Sequence, residues 1–170
     1  MNRHAIVQTL QGKMRPLHPA LDAVEKEVAL PLCRPPRAAL VKQMAESDPD
    51  KYKRIWWAHL LQHPSPRDLE FRSLLLKLSD DFWILGTQHE LCAGYVPMAE
   101  TLVGDRRLLL LGYSNGFAGY IPTRQILREG GYEGKDSAVP FGLPGPFTAS
   151  VEKIVLNGWS QLFDDTSSRF

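Results

Sequence analysis

Two places along the chain put polar side chains where an apolar run of strand length ends. The first is Glu90, and the second is the stretch Gly112-Tyr113-Ser114-Asn115-Gly116-Phe117-Ala118-Gly119-Tyr120-Ile121-Pro122-Thr123. The end of a strand is where an α/β sheet commonly holds its ligand. The second stretch mixes small residues, which let backbone approach a ligand, with Tyr, Asn and Thr side chains that can hydrogen-bond to it. It is not a phosphate loop, because it has neither the G-K-[ST] ending nor the G-x-G-x-x-G spacing. Spacing alone also admits a structural reading, with Asn115-Gly116 as a tight turn and Tyr120 as a core tyrosine. His59 and His63 stand four residues apart, a spacing that zinc proteases use, but they lack the intervening glutamate of H-E-x-x-H and Pro64 follows at once. Cys33 and Cys92 are far apart in sequence, which points to buried free thiols and not to a disulfide framework or a cysteine zinc site.

The elements that must position these residues are legible in outline. Residues 1–34 are poorly periodic, and Ala29-Leu30-Pro31-Leu32-Cys33-Arg34-Pro35-Pro36 reads as a short strand ended by prolines, suited to a sheet edge. Residues 37–46 have a helical pattern. Ser47-Asp48-Pro49 gives a cap followed by proline at a first helical position, starting a second helix that runs to about Gln62. Its stripe of Tyr52, Ile55, Trp56, His59 and Leu60 predicts a buried helix face. Pro64-Ser65-Pro66 breaks the chain. Residues 69–78 then alternate, with Leu74, Leu76 and Leu78 on one side, and Ser79-Asp80-Asp81 turns the chain into Phe82-Trp83-Ile84-Leu85-Gly86, so the pair predicts a β-hairpin that delivers Gln88-His89-Glu90 to a strand end.

Farther on, residues 91–103 predict a helix ended by Gly104, and residues 106–113 a strand apolar enough to be buried on both faces. A short helix near 123–129, a Gly- and Pro-rich loop over 130–147 and a closing helix over 148–163 complete the chain, the last with Val151, Ile154, Val155, Trp159 and Leu162 on one face. The expected fold class is α/β (α+β), a mixed β-sheet flanked by helices. The 170 residues read as a single or partial domain: an extended edge segment and helices over 1–65, the strands carrying the site over 66–135, and a loop and closing helix over 136–170.

Composition is that of a globular chain, 44% hydrophobic and 23% charged. A net charge of +1, from 20 Lys and Arg against 19 Asp and Glu, provides no global field that would draw it to nucleic acid or to an anionic membrane surface. The start of the chain lacks the uninterrupted apolar stretch of ~7–15 residues of a secretory signal, and no run approaches the ~18 of a membrane span. The compartment therefore stays open.

From about Leu69 to Glu133 the chain resembles the last part of the catalytic domain of neutral/alkaline non-lysosomal ceramidases and their bacterial relatives. A strand there ends in a glutamate, here Glu90, and a later strand leads into an Asn, a Tyr and a Thr before a Tyr-Glu pair, here Asn115, Tyr120, Thr123 and Tyr132-Glu133. The resemblance implies that Glu90 and Tyr120 are ligands of a catalytic zinc. It also implies that Asn115, Gly116, Thr123, Tyr132 and Glu133 line the substrate site, and that the reaction is hydrolysis of an N-acyl amide bond of a sphingolipid. Phe117, where ceramidases often have tyrosine, and the Ile121-Pro122-Thr123 and Gly130-Gly131-Tyr132-Glu133 wording are closer to the uncharacterised bacterial branch.

In that family two histidine ligands and a serine lie much earlier in the domain. His4, His18, His59, His63 and His89 do not sit in the family's histidine contexts, so no catalytic residue is assigned to this chain. A zinc site needs about three protein ligands and an open position, and one carboxylate with one phenol falls short of that. The resemblance therefore implies the C-terminal portion of a zinc amidohydrolase, inactive as this isolated chain. Its partner would be the N-terminal half of the catalytic domain or a further copy of itself, with an N-acyl lipid as substrate. The alternative is a degenerate, non-catalytic binding or scaffolding module of the same fold. Either reading predicts exposed apolar surface where strands such as 106–113 lack their cover. Relatives are often secreted or membrane-associated, which leaves localisation unknown.

Overall fold

A computed structural model describes residues 3–14 and 16–167. In chain order its elements are α1 (Arg3–Gln11), β1 (Asp22–Pro31), α2 (Ala38–Ser47), α3 (Lys51–Gln62), β2 (Asp68–Ser79), β3 (Phe82–Thr87) and β4 (Glu90–Leu91). They continue with α4 (Tyr95–Val103), β5 (Arg107–Leu111), β6 (Tyr120–Ile121), α5 (Arg124–Glu129), α6 (Gly131–Gly134) and α7 (Val151–Ser167). Four strands form a mixed sheet in the order β1-β2-β3-β5, antiparallel except for the parallel pair β3 and β5. β4 and β6 form a separate two-stranded parallel ladder. A mixed sheet flanked by helices is the expected fold class.

Alternation along the strands sends one set of side chains under the helices. Val24, Leu30, Phe71, Leu75, Trp83 and Leu85 are buried there with Val151, Val155, Trp159 and Leu162 of α7. α4 adds Tyr95, Ala99 and Val103, one per turn on the same side. Two contacts seat α7. The Trp159 indole donates to the Ser73 hydroxyl at 3.0 Å, satisfying both buried groups. Gly158 lets the helix approach β1 so closely that an added Cβ would stand 3.0 Å from Val28 Cγ1. At the first turn of α7, the Glu152 carboxylate accepts from the Arg124 backbone N–H at 2.8 Å and so ties the closing helix to the start of α5.

The opposite sheet face is apolar and open. Register places Leu76 beside Ile84 and Ile84 beside Leu109, with Leu74 and Leu111 flanking Gly86. Among the described residues no helix packs extensively on this face. Leu74, Leu76, Leu78 and Ile84 are half-buried, and Leu109 and Leu111 are exposed. β5 is thus an edge strand with one open face, not the doubly covered strand its leucines predict. The apolar face of β2 under the helices carries Phe71, Ser73, Leu75, Lys77 and Ser79, the opposite set to the predicted leucine side.

Other differences are local. α1 and the ten-residue length of β1 escape the apolar periodicity, because Glu25, Lys26 and Glu27 interrupt it; on this edge strand Glu25 and Glu27 pair with Arg72 instead. α3 is capped by Asp50, which accepts from the Tyr52 and Lys53 N–H groups, two residues later than Ser47-Asp48-Pro49 suggests. Its stripe is not core: Tyr52 is 76% and Ile55 59% exposed. Residues 91–103 divide into the end of β4 and α4, and residues 130–147 hold α6 and a turn of 3-10 helix.

Trp159→Ala removes the largest α7 side chain from the core and strands the Ser73 hydroxyl. The expected loss is about 3–5 kcal/mol, read by urea unfolding, whereas Tyr52→Ala at an exposed site should change stability by no more than about 0.5 kcal/mol.

Candidate functional site

Where β3 ends, the chain leaves the large sheet and builds the small one. Gln88 holds the last rung: its N–H donates to the Arg72 carbonyl at 2.9 Å and its side-chain oxygen accepts from the Arg72 N–H at 3.0 Å. His89 then turns the chain in the left-handed region, with φ of 63°. Beyond it Glu90 lies beside Tyr120 and Leu91 beside Ile121 in the parallel pairing of β4 and β6. The Glu90 N–H donates to the Gly119 carbonyl and the Cys92 N–H to the Ile121 carbonyl, both at 3.2 Å. The Tyr113 and Ser114 N–H groups donate back to the carbonyls of His89 and Thr87, each at 2.8 Å.

His89 is the buried hub of this junction. Its Nδ1 accepts from the Ala118 N–H at 3.0 Å, so the ring proton sits on Nε2, which donates to the Glu70 carbonyl at 2.8 Å. Both nitrogens are committed to backbone, and the ring is a positioning device with no lone pair left for a metal. Burial holds its pKa below the ordinary 6.5, offset in part by the Glu70 carbonyl. Besides His89, the non-glycine residues with positive φ among the described residues are Tyr113 (57°) and Asn115 (64°). All three flank Glu90 or the loop facing it. Strained backbone of this kind, costing on the order of 1–3 kcal/mol per residue, clusters at functional sites.

The half-buried Glu90 carboxylate faces two phenols. The Tyr113 hydroxyl donates to Glu90 Oε2. That bond, with the carboxylate's charge, pushes the Tyr113 pKa up to about 12. Tyr120 is also raised, first by burial and then by its hydrogen bond to Glu90. Both phenols are therefore protonated at neutral pH, and the carboxylate accepts from Tyr113. Among the described residues no group of three or more His, Cys, Asp and Glu side chains could hold a metal ion. One carboxylate, already bonded to a phenol, is too small a donor set to retain zinc, so the residues present do not fit that metal by themselves.

The other expected site residues are placed as follows. The Tyr132 ring meets Tyr120 edge-on at 5.4 Å between centroids, and Glu133 contributes to the field that raises the Cys92 thiol and the Tyr120 phenol. Asn115 is exposed, and its carbonyl accepts from the Gln88 amide at 3.3 Å. The Gly116 carbonyl accepts from the His89 N–H. Thr123 is buried and spends its hydroxyl on the N-cap of α5, accepting from the Ile126 N–H at 3.3 Å. Behind it, the Tyr95 hydroxyl donates to the Pro122 carbonyl at 3.0 Å and anchors the strand that carries Tyr120.

Phe117 and Phe141 complete an aromatic wall, their centroids 4.9 Å apart, with Tyr113 4.8 Å from Phe117. From Phe141 and Tyr132 the wall runs into a cleft of about 740 Å³ whose far side is Tyr52, Ile55, Trp56 and His59 of α3. The indole of Trp56 fixes that side by donating to the Leu143 carbonyl at 2.8 Å. The α3 stripe predicted as core is this cleft's wall, and His59 stacks on His63 at 4.4 Å. Sequence reading gave no role to His89 or Phe141 and singled out Tyr113 only within its stretch. A histidine after an apolar run, followed directly by the candidate glutamate, was the available signal.

No family model and no curated protein matches the chain. Among solved structures it is similar to a ceramidase complexed with C2, at 18% identity and a TM-score of 0.46 over 62% of this chain and 16% of that one. It is also similar to neutral ceramidase from Pseudomonas aeruginosa, at 17% identity and a TM-score of 0.48 over 86% of this chain and 29% of that one. The chain thus spans less than a third of the length of either. At these values the likeness says nothing of function, and the reading below stands on Glu90, Tyr120 and their surroundings.

Because His89 is buried in the neutral form, the unfolded chain binds a proton near pH 6.5 that the folded chain refuses. Its contribution to stability is full above that pH and is lost as pH falls toward the lower folded value. Urea midpoints should therefore decline between about pH 7 and pH 5, and more steeply in the native chain than in His89→Gln.

Proposed function

We propose that this chain is the C-terminal portion of a zinc-dependent amidohydrolase of ceramidase type, acting on an N-acyl amide bond. In this reading Glu90 and Tyr120 supply part of the zinc ligand set, and the further donors come from outside these residues. Asn115, Gly116, Thr123, Tyr132 and Glu133 line the substrate site, and the isolated chain does not hydrolyse amides. One observation carries the reading: Glu90 and Tyr120, the two residues that the motif resemblance singles out, lie side by side as paired neighbours of β4 and β6 although thirty residues separate them. Strained backbone on both sides of them adds support.

The test is made on the native gene product, whatever its length, isolated with an antibody against residues 130–170. The expected product contains about one zinc per chain and hydrolyses a fluorogenic N-acyl amide. Chelation abolishes the activity, and Glu90→Gln lowers kcat/KM by on the order of 100-fold or more. A second reading, a non-catalytic binding module, is favoured by one fact: the Tyr113 hydroxyl already occupies the Glu90 carboxylate. A zinc-free, inactive native product whose Glu90→Gln and Tyr120→Phe variants show no phenotype would establish that reading instead.

The open sheet face supports a protein partner, either the N-terminal half of the catalytic domain or a second copy. Parallel strand pairs are normally covered on both faces, and the uncovered leucines of β2 and β5 run toward Tyr113 and the site. Leu109→Asp with Leu111→Asp should abolish the self-association or partner capture that sedimentation detects in the native chain. A native chain that sediments as a clean monomer at high concentration and captures no partner would remove this part of the proposal.

A further inference from the structure

His59 and His63 face each other across one turn at the end of α3. Side chains four residues apart lie on the same face of a helix. The His63 N–H donates to the His59 carbonyl at 3.0 Å, so the last backbone bond of the helix joins these two residues themselves. Pro64 comes next and confines His63 to extended backbone, at φ of −124° and ψ of 143°. One turn earlier, the Trp56 indole bond to the Leu143 carbonyl ties the helix to the chain across the cleft. On this fixed backbone the two rings stand 4.4 Å apart between centroids, with their planes 31° from parallel. Both residues are exposed.

Their nitrogens are uncommitted. Both His89 nitrogens are spent on backbone groups, whereas among the described residues neither the His59 nor the His63 ring has a hydrogen bond or an ion pair. His59 and Gly142 line the same cleft. An added Cβ at Gly142 would stand 3.5 Å from His59 Nε2, and φ of 65° there favours glycine, so that nitrogen stays approachable from the cleft.

We infer that His59 and His63 form a two-imidazole chelate for a divalent transition-metal ion, copper(II) above all, at the rim of the α3 cleft. Neutral imidazole suits zinc, nickel and copper, and the affinity of a given nitrogen site peaks at copper(II), whereas calcium and magnesium take oxygen ligands. Such nitrogens bind a metal at about 2.0–2.1 Å. The two donors must therefore close to about 3 Å, which a rotation between staggered side-chain wells supplies from the present stacking. Two protein donors leave the remaining coordination positions to water or to a small ligand in the cleft, so the bound ion is exchangeable and not structural. The pair needs no intervening glutamate for this role, and the inference rests neither on Glu90 nor on the zinc reading.

The experiment titrates the full chain with copper(II) in a non-coordinating buffer, followed by electron paramagnetic resonance. A single copper with two equatorial imidazole nitrogens is expected, bound more tightly than nickel or zinc and not displaced by excess calcium or magnesium. His59→Gln and His63→Gln should each weaken binding by on the order of tenfold or more, because the second donor acts at high effective concentration. Both positions are exposed, so the metal-free variants should keep the circular dichroism and urea midpoint of the native chain. His4→Gln with His18→Gln should retain the site, as should Glu90→Gln with Tyr120→Phe, which separates this outcome from that of the zinc reading. Copper that binds His59→Gln as tightly as the native chain, a signal from one imidazole alone, or loss of binding in His4→Gln with His18→Gln overturns the inference.

Discussion

The two hydrogen bonds of the His89 ring fix three separate stretches of chain to one another. Nε2 donates to the Glu70 carbonyl on β2, and Nδ1 accepts from Ala118 in the loop before β6. His89 itself closes the end of β3. Two-residue strands do not persist alone, and those bonds join the Tyr95–Pro122 anchor and the His89–Gly116 and Tyr113–His89 backbone bonds in holding Glu90 beside Tyr120. Burial makes the arrangement decisive: an unpaired Ala118 N–H or Glu70 carbonyl beside a buried ring would cost on the order of 1–3 kcal/mol. The left-handed turn at His89, with those at Tyr113 and Asn115, is sustained by this network. The N–H and carbonyl groups of the turn are answered by Gly116, Tyr113 and Ser114 backbone and, through Gln88, by Arg72.

A second constraint acts on the sheet as a whole. α7 and α4 cover one face, and their docking depends on Gly158 against Val28 and on the Trp159 indole bonded to Ser73. This choice of face explains an otherwise odd pattern in β2, where Lys77 lies buried and Leu74, Leu76 and Leu78 do not. Lys77 reaches Asp80 at 2.8 Å, so its apolar stem can lie under the helices while its amino group meets a carboxylate at the hairpin turn. The leucines are then left for the opposite face, where no element of the described fold covers them extensively.

That same choice marks how far the sequence could be read. The apolar stripe of α7 was legible because its periodicity agrees with its burial, and the β2–β3 hairpin because Ser79-Asp80-Asp81 separates two apolar runs, although the buried face of β2 is the one opposite its leucines. The leucine run of β5 and the aromatic stripe of α3 were misread, because periodicity reports which side of an element is apolar and not whether anything lies against it. β1 was read short for the opposite reason: Glu25 and Glu27 on its open face are held by Arg72 from the neighbouring strand, a cross-strand pairing that a single segment does not reveal. For the candidate site, the residue types at Glu90, Asn115, Tyr120 and Tyr132 were visible as a motif. The contact of Tyr113 with Glu90 and the commitment of both His89 nitrogens depend on φ angles and on chain segments distant in sequence.

The chemistry of Glu90 follows from its two phenols. A carboxylate accepting from the Tyr113 hydroxyl is oriented but not neutralised, since a phenol keeps its proton against a carboxylate at neutral pH, and more so when its pKa rises to about 12. The negative charge therefore remains at the mouth of an otherwise aromatic wall formed by Tyr113, Phe117, Tyr120 and Phe141. Such a site attracts a cation and lays apolar surface beside it. Burial and Glu90 together hold the Tyr120 phenol in its protonated form.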